Sequence, residues 1–484
     1  MVRMNPSTSS LAFTPAVARV LATVSVAFVV TQLDVTIVNI ALPSIGSQLQ
    51  APIAALQWIV DAYTLAFAVL MLSGGVLGDR YGARRLFAAG LVLFGAASLA
   101  CGLAPNAQAL VAARAAQGIS AAAMLPNSLA LLNRACSHDP RLRARAVGLW
   151  TASGAIAIAA GPVLGGFLIA AWGWRSIFLV NVPICLAGLV AALVWIPRYD
   201  DEAAHAHRPV GIDLPGQLIA IVALTAFTGA VIELRPLGLA HPLIVGAFIA
   251  ALCAAFAFVF VEGKSRAPMV PLALLKDRTF SAAVVFGVCV NMAYYGTVFV
   301  LSLFLQRARG ETPLQAGLTF LPLTGGFLVS NVVSGWVVSR YGPRRPMMIG
   351  AVIGAVGYGL LPLMQARTPI VAMLVPFLLI PAGMGLAVPA MTTAVLASVE
   401  HKRAGTASAL LNTARQAGGA VGVAAFGALA SGAGAAAVVS GMRISAGIAA
   451  ALLVVGLLLA SLVHPDAHAR EGVAGETERS SAGR

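Results

Sequence analysis

Long apolar segments separated by short polar ones run through almost the whole chain. Many of them approach the roughly 20 residues that an α-helix needs to cross the hydrocarbon core of a bilayer, and each is broken by proline, glycine or charged residues. We therefore predict an all-α polytopic membrane protein. Its fourteen predicted spans are 17–41, 54–78, 86–104, 108–133, 146–170, 176–197, 214–233, 242–262, 280–305, 315–338, 346–364, 369–396, 405–430 and 444–463.

The composition agrees with a membrane protein. Hydrophobic residues make up 59% of the 484 residues and charged residues 10%, whereas soluble domains carry about 25% charged residues. The five cysteines are scattered without CxxC spacing, which predicts neither a disulfide framework nor a metal site. Motifs of the P-loop, GxSxG, HExxH and GxGxxG types are missing, so we expect no enzyme activity and no cofactor.

Positive charge is distributed unevenly between the two sides of the predicted bundle. The net charge is +14, but most lysines and arginines lie in the terminal tails and in the loops that follow even-numbered spans. The loops on the other side hold only Arg175, Arg235, Arg307, Arg309, Arg367 and Arg443. Because basic loops remain in the cytoplasm, both termini are predicted to be cytoplasmic. The charge thus reflects topology in the cytoplasmic membrane, and nucleic acid is not expected as a partner.

A short motif occurs twice with the same orientation. Six positions of Gly75–Arg85 are matched 260 residues later in Gly335–Arg345, and both copies follow an even-numbered span. Two six-helix halves explain this pattern, since parallel repeats are a known transporter architecture. The predicted division is a tail and six-helix half at 1–197, a linker with two extra helices at 198–279, a second six-helix half at 280–463 and a cytoplasmic tail at 464–484.

Three ionisable residues lie inside apolar spans at similar predicted depth. Asp34 and Arg114 are each expected roughly 10 Å below the outer ends of their helices, and Asp61 within about two turns of the same boundary. An ionisable group at such depth is costly unless it is paired or hydrated. We predict that Asp34 pairs with Arg114 and exchanges a coupling proton, with Asp61 as a further candidate. The alternatives are a static ion pair and, for Asp61, a carboxylate stabilised by the helix dipole.

The first span carries polar residues on two faces. Gln32, Thr36 and Asn39 form a stripe roughly opposite Asp34. Both faces cannot line the same cavity. We predict that Asp34 faces it, and we keep Gln32 and Asn39 as candidates for the substrate pocket.

The second half supplies the other candidates for a substrate pocket. Asn291 and Tyr295 share one helix face with Tyr294 adjacent, although interhelical hydrogen bonding would also explain them. Arg415 lies too deep for its side chain to reach the membrane surface comfortably. Because the spans of this half contain no acidic residue, Arg415 must meet backbone carbonyls, the first half across a cavity, or a substrate.

The repeated loop motif is a candidate gate. It combines a tight turn with a charge cluster at the membrane edge, which can hold a helix end in one conformation and release it in another. Ordinary positive-inside charge explains its arginines but not its aspartate. The candidate gating residues are Gly75, Asp79, Arg80, Gly82, Arg84 and Arg85.

The fifth span contains small residues spaced four apart and a proline. Small residues let another helix approach closely, and proline removes a backbone donor and favours a bend. Packing alone explains the spacing, whereas the added proline predicts a flexing interface. The candidate residues are Gly161, Pro162, Gly165 and Gly166.

Together these motifs resemble those of fourteen-helix drug:proton antiporters of the major facilitator superfamily, of the EmrB/QacA type. The residues that carry the resemblance are Asp34–Pro43, Gly75–Arg85, Arg114–Gly118, Gly161–Gly166, Trp174–Pro183 and Asn412–Gly419. The resemblance implies the major facilitator fold, a part in proton coupling for Asp34 and Arg114, and export rather than uptake. Ala83 and Ala157 depart from the family pattern.

We therefore expect a proton-coupled antiporter that exports amphipathic or hydrophobic drugs or natural products by alternating access, with Asp34 exchanging its proton in competition with the substrate. The alternatives are proton-coupled transport of a metabolite such as an amino acid, a sugar or a siderophore, and a membrane scaffold or sensor without transport. We expect a monomer whose partners are a small molecule, protons and the lipid bilayer. The need for a periplasmic adaptor stays open at this point.

Overall fold

Fourteen long helices make up the part of the fold that the structure describes. The computed structural model describes residues 14–137, 139–197, 213–265, 268, 270–400, 404–432 and 434–464, and every regular element in these ranges is helical. The long helices are α1 Pro15–Gln48, α2 Ile53–Tyr81, α3 Ala83–Gly102, α4 Ala107–Ala135, α5 Pro140–Trp172, α6 Ser176–Trp195, α7 Leu214–Leu237, α8 Pro242–Lys264, α9 Arg278–Leu303, α10 Pro313–Tyr341, α11 Arg344–Leu360, α12 Ile370–Ala397, α13 Ala404–Leu429 and α14 Gly434–Ser461.

Thirteen of these helices are long and apolar enough to cross a membrane, and α13 occupies the position predicted for the thirteenth of fourteen spans. The prediction of an all-α polytopic membrane protein is confirmed. Residues 1–13 of the predicted N-terminal tail, residues 198–212 of the predicted linker at 198–279 and residues 465–484 of the predicted C-terminal tail lie outside the described residues.

Helix α1 continues beyond its predicted end, which lay two residues before Pro43, and reaches Gln48. Proline has no N–H to donate to the carbonyl of Asn39, four residues earlier. Ser302 of α9 donates its hydroxyl to that carbonyl instead, so a tertiary hydrogen bond replaces the missing helical one. Asp34 consequently lies near the middle of a 34-residue helix, farther from the helix end than the sequence predicted.

The two copies of the loop motif form the same helix end. Helix α2 ends at Tyr81 and is followed by Gly82 with φ 94°, and α10 ends at Tyr341 and is followed by Gly342 with φ 71°. Glycine adopts these backbone angles without the steric cost that other residues meet. In both places the chain turns at once into the next helix.

The helices pack as two groups that meet along two seams. Within α1–α6 and within α9–α14 the contacts are extensive, and the groups touch mainly through α5 against α10 and α2 against α13. The repeated motif makes α2 equivalent to α10, and counting along each half makes α5 equivalent to α13, so the two seams exchange under the repeat. This arrangement supports the proposed division into two halves. Helix α7 packs against α8, α2 and α13, next to one of the seams.

Candidate functional site

Asp34 and Arg114 form a buried ion pair between α1 and α4. Nη1 of Arg114 donates to Oδ2 of Asp34, and the two side chains are 1% and 0% exposed. The same nitrogen donates to Oε1 of Gln117 at 2.8 Å, and Nε donates to the backbone carbonyl of Ile59 at 3.0 Å. Arg114 therefore joins α1, α2 and α4 through one guanidinium group.

Neutral amides complete the surroundings of the carboxylate. Oδ1 of Asp34 accepts from Nδ2 of Asn181 at 3.3 Å and from Nε2 of Gln117 at 3.4 Å, and the Gln117 amide also donates to Ser98 Oγ at 2.7 Å. Sequence reasoning missed both amides as site residues. Gln117 lies three residues after Arg114 on the same helix face, which was an available signal. Asn181 comes from a distant segment, and no local pattern connects it with α1.

Aromatic rings cover the cation of the pair. The guanidinium carbon of Arg114 lies 4.4 Å from the ring centroid of Tyr63 and 5.9 Å from that of Phe178. Such contacts are favourable for a cation that has lost water. They leave the pair enclosed on this side and restrict the ways in which Arg114 can rearrange.

Asp61 is separate from the pair. Its side chain is fully buried on α2, and neither carboxylate oxygen has a hydrogen-bond partner among the described residues. Gln57, one turn earlier on the same helix face, donates to the carbonyls of Val423 and Ala424 on α13 at 3.2 and 2.6 Å. Asp61 thus lies on the face of α2 that meets α13, and Asp34 is the carboxylate bound to Arg114.

A cavity of about 140 Å³ lies between the two groups of helices. It contains five of the six residues that the sequence analysis assigned to a substrate pocket: Gln32, Asn291, Tyr294, Tyr295 and Arg415. Thr36, Asn331 and Phe327 also line it, with aliphatic side chains and Met384 completing the wall. The cavity is thus polar and aromatic on one part of its wall and aliphatic on the rest.

The sixth candidate, Asn39, lies farther along α1. It borders a small space of about 10 Å³ that Thr36, Tyr294 and Tyr295 also line. Its Nδ2 donates to the backbone carbonyl of Val35 at 2.8 Å, and its Oδ1 is buried without a partner. Asn39 therefore stands next to the main cavity and not in its wall.

Asp34 does not line the cavity. Its carboxylate is 0% exposed, whereas Gln32 and Thr36 from the opposite face of α1 do line it. The prediction that Asp34 faces the cavity is therefore wrong. The physical reason is the charge: a buried carboxylate needs a cation and several donors around it, and the first half alone supplies Arg114 and the amides. The uncharged residues on the opposite face, Gln32 and Thr36, do not need a charged partner and can therefore line a cavity.

Comparison with known proteins decides the family. The model of the Major Facilitator Superfamily matches residues 24–423 of this chain. The chain belongs to the major facilitator superfamily.

Three relatives of the chain carry names of drug resistance proteins. The chain is 36% identical to the methylenomycin A resistance protein of Bacillus subtilis (strain 168), over 85% of this chain and 87% of the relative. It is also 36% identical to the multidrug resistance protein Stp of Mycobacterium tuberculosis (strain CDC 1551 / Oshkosh), over 82% and 73%, and to the puromycin resistance protein pur8 of Streptomyces alboniger, over 83% and 79%. The predicted family is confirmed, and the chain is a multi-pass protein of the cell membrane.

Solved structures confirm the major facilitator fold. The nucleoside transporter NupG superposes with a TM-score of 0.66 at 12% identity, covering 92% of this chain and 99% of that one. A bacterial homologue of the human lysosomal transporter Spinster gives 0.64 at 17% identity, covering 93% and 98%.

The glycines of the fifth helix bring three helices of this major facilitator chain together. A Cβ atom added at Gly161 would lie 2.0 Å from Oγ1 of Thr36 on α1, and one at Gly165 would lie 2.6 Å from another α1 side chain. A Cβ at Gly166 would lie 2.6 Å from the backbone carbonyl of Pro313 on α10. The motif therefore has one contact surface within the first half and another across the seam.

The loop motif is only partly engaged. Arg84 donates to the backbone carbonyls of Ala192 and Leu193 at 3.3 and 2.8 Å, which holds the end of α6. Arg80 lies 5.4 Å from the ring of the adjacent Tyr81. Asp79 is exposed and forms no hydrogen bond or ion pair with the part of the chain that the structure describes. The predicted charge cluster around Asp79 is therefore not formed in this conformation.

Replacing Arg114 with glutamine is expected to destabilise the protein by about 3–5 kcal/mol, because Asp34 then remains buried without its cation. Thermal unfolding in detergent micelles measures this effect. The double variant Asp34→Asn with Arg114→Gln should recover part of the loss, since two neutral amides replace the two charges. Equal stability of the single and double variants would contradict the pairing.

Proposed function

We propose that this protein is a proton-coupled antiporter that exports small amphipathic or hydrophobic drugs or natural products from the cytoplasm. The observation that carries the proposal is the position of the Asp34–Arg114 pair on one face of α1, with the cavity on the other face of the same helix. A carboxylate inside the membrane with one cationic partner is suited to bind and release a proton. The resistance functions in the names of its relatives support a drug-like cargo.

The coupling in this proposal runs through α1. Protonation of Asp34 removes its negative charge and weakens the ion pair to a hydrogen bond between the Arg114 cation and a neutral acid, while Arg114 keeps its bonds to Gln117 and the Ile59 carbonyl. The helix can then shift against α4, and Thr36 on its other face moves with it. Thr36 lines the cavity and lies in close contact with Gly161 of α5. In this proposal the proton and the substrate bind to different atoms, and they compete because each favours a different position of α1.

Alternating access follows from where the two halves touch. At the predicted outer end, Gln306 of α9 donates to the Ile40 carbonyl of α1 at 2.9 Å, Gln57 of α2 binds α13, and Gly166 of α5 lies against α10. At the opposite end, Asp79 is unpaired within the described residues. We take this conformation as the inward-facing one, in which the cavity is accessible from the cytoplasm. In the outward-facing state Asp79 would pair with the nearby arginines.

Purified protein in liposomes with an acidic lumen tests the function. Protein molecules inserted with their cytoplasmic side facing outward should accumulate an uncharged or permanently charged drug in the lumen while protons leave the lumen. A protonophore should abolish this accumulation. Drugs that are not weak bases are required, since a weak base would be trapped by acid without any protein. A lumenal pH dye should report proton loss when such a drug is added outside. Absence of gradient-dependent flux for neutral, anionic and cationic probes alike would overturn the proposal.

A further inference from the structure

We propose that the cavity takes anionic substrates, and that Arg415 recognises their acidic group. This inference rests on the proposed function only in that it treats the cavity as the substrate site. It names the charge of the substrate, which the proposed function leaves open.

The first observation is an unpartnered cation at the cavity. Arg415 projects from α13 into the wall, its Nε is buried without a hydrogen-bond partner, and within the described residues it forms no ion pair. Among the residues that the structure describes, no aspartate or glutamate lines the cavity. Asp34 is bound to Arg114 on the far side of α1, and Asp61 lies on the face of α2 that meets α13. Within the part of the chain that the structure describes, the positive charge of Arg415 is therefore uncompensated.

The second observation is that the chain makes room for this side chain. A Cβ added at Gly287 of α9 would lie 3.1 Å from Cγ of Arg415, so the glycine lets the aliphatic part of the arginine pass. One turn along α13, a Cβ at Gly419 would lie 2.9 Å from the Tyr295 ring. Helices α9 and α13 therefore approach each other closely at both glycines, and Arg415 and Tyr295 line the same cavity.

The third observation is the aromatic wall beside the cation. The ring of Tyr294 packs edge-on against Tyr295 and Phe327, with centroid distances of 5.3 and 5.1 Å. Rings in this arrangement offer flat apolar surface to a second ring. The volume of about 140 Å³ is close to that of an engineered cavity of about 150 Å³ that binds benzene. The site therefore fits one ring-sized body.

These features define a chemical class of ligand. A guanidinium group in a membrane interior is costly without an anion, and it binds carboxylate, sulfonate or phosphate groups through two parallel hydrogen bonds. A cationic drug would meet an uncompensated like charge and be rejected. The class is a small molecule with one ring-sized apolar body and one acidic group.

Three probes with the same ring and different charge test this assignment. Benzenesulfonate is permanently anionic, benzenesulfonamide is neutral near pH 7 and benzyltrimethylammonium is permanently cationic. Calorimetric titration of the full-length protein in nanodiscs should give the sulfonate about tenfold or more higher affinity than either other probe, because its hydrogen bonds are charge-assisted. Equal affinity for the three probes, or a preference for the ammonium ion, would overturn the proposal.

Arg415→Gln should remove the preference for the sulfonate over the sulfonamide, and Arg415→Lys should restore part of it. Arg443→Gln is the matched control, since Arg443 is exposed on α14 and its loss changes the net charge by the same amount. If Arg415→Gln fails to fold, Arg415→Lys tests the role instead. Because lysine keeps the charge but loses the bidentate geometry, the preference for the sulfonate should be reduced in this variant. An unchanged preference in both Arg415 variants would exclude this role.

The binding measurement uses no gradient, so its outcome is distinguishable from that of the transport assay. Intact gradient-driven transport combined with binding that ignores probe charge would overturn the inference and leave the proposed function in place. If the charge preference is lost in Arg415→Gln and no gradient-driven flux is observed, the inference about Arg415 stands and the proposed function is overturned.

Discussion

Asp34→Asn should reduce the accumulation of substrate in proteoliposomes to the level set by simple equilibration. One pH unit corresponds to about 1.36 kcal/mol for each coupled proton, so a gradient of two units should sustain roughly a 100-fold accumulation in the wild type if one proton is exchanged. Asparagine keeps the size of the side chain and an oxygen that accepts hydrogen bonds, but it binds no proton in this pH range. Accumulation ratios at steady state measure the effect.

The same variant should still exchange substrate between the two sides in the absence of a gradient. The cavity is lined by the opposite face of α1, so binding does not need the Asp34 carboxylate. Glu233→Gln on α7 is the matched control, since it removes a carboxylate outside the pair and outside the cavity. Undiminished gradient-driven accumulation in Asp34→Asn would disprove the coupling role, and loss of exchange together with accumulation would indicate a binding or folding defect instead.

The second large effect is expected at Gly317 on α10. A Cβ added there would lie 2.3 Å from the backbone carbonyl of Pro162 on α5. A backbone atom cannot rotate away, so Gly317→Ala must separate the two helices at the predicted outer end. Overpacking of this kind costs about 1–3 kcal/mol, which shifts the equilibrium against this conformation by about 5- to 150-fold. Transport should fall accordingly, since both conformations are needed for turnover.

Spin labels report the opening directly. Trp172 at the end of α5 and Leu363 just after α11 are 68% and 74% exposed, and the distance between labels at these positions should increase in Gly317→Ala. Gly325→Ala is the control on the same helix, because no atom lies within 4 Å of a Cβ added there. Identical distances and transport rates in the two alanine variants would show that the α5–α10 contact does not set the equilibrium.

The sequence predicted the pair of Asp34 and Arg114 because depth in a membrane can be counted along a helix. Helix length and charge position are one-dimensional quantities, and a bilayer converts them into height. The same count failed in detail for α1, where Ser302 from the other half replaces the hydrogen bond that Pro43 removes. This replacement hydrogen bond comes from another helix, so the sequence around Pro43 does not predict it.

Rotation about a helix axis was the harder question. In a soluble protein the apolar face of a helix points to the core, but in a membrane the lipid and the core are both apolar, and this signal disappears. Helix α1 carries polar groups on both faces, so its sequence did not decide between Asp34 and the stripe of Gln32 and Thr36. The same limit applies to Asp61, whose predicted depth matches that of Arg114 although it lies on the face of α2 from which Gln57 binds α13.

The fifth helix lies between these cases. Its small residues predicted close packing, and Gly161, Gly165 and Gly166 do lie against other helices. Which helices they touch depends on the fold, and the division of the glycines between α1 and α10 was visible only in three dimensions.

The two faces of α1 also allow substrate specificity and proton coupling to change independently during evolution. The residues proposed to choose the cargo line the cavity, while the residues proposed to hold the proton lie on the opposite face of α1 and do not line it. Mutations in the wall can therefore change specificity while the energy source stays the same. The relatives named for resistance to methylenomycin A and to puromycin are compatible with such a division of labour.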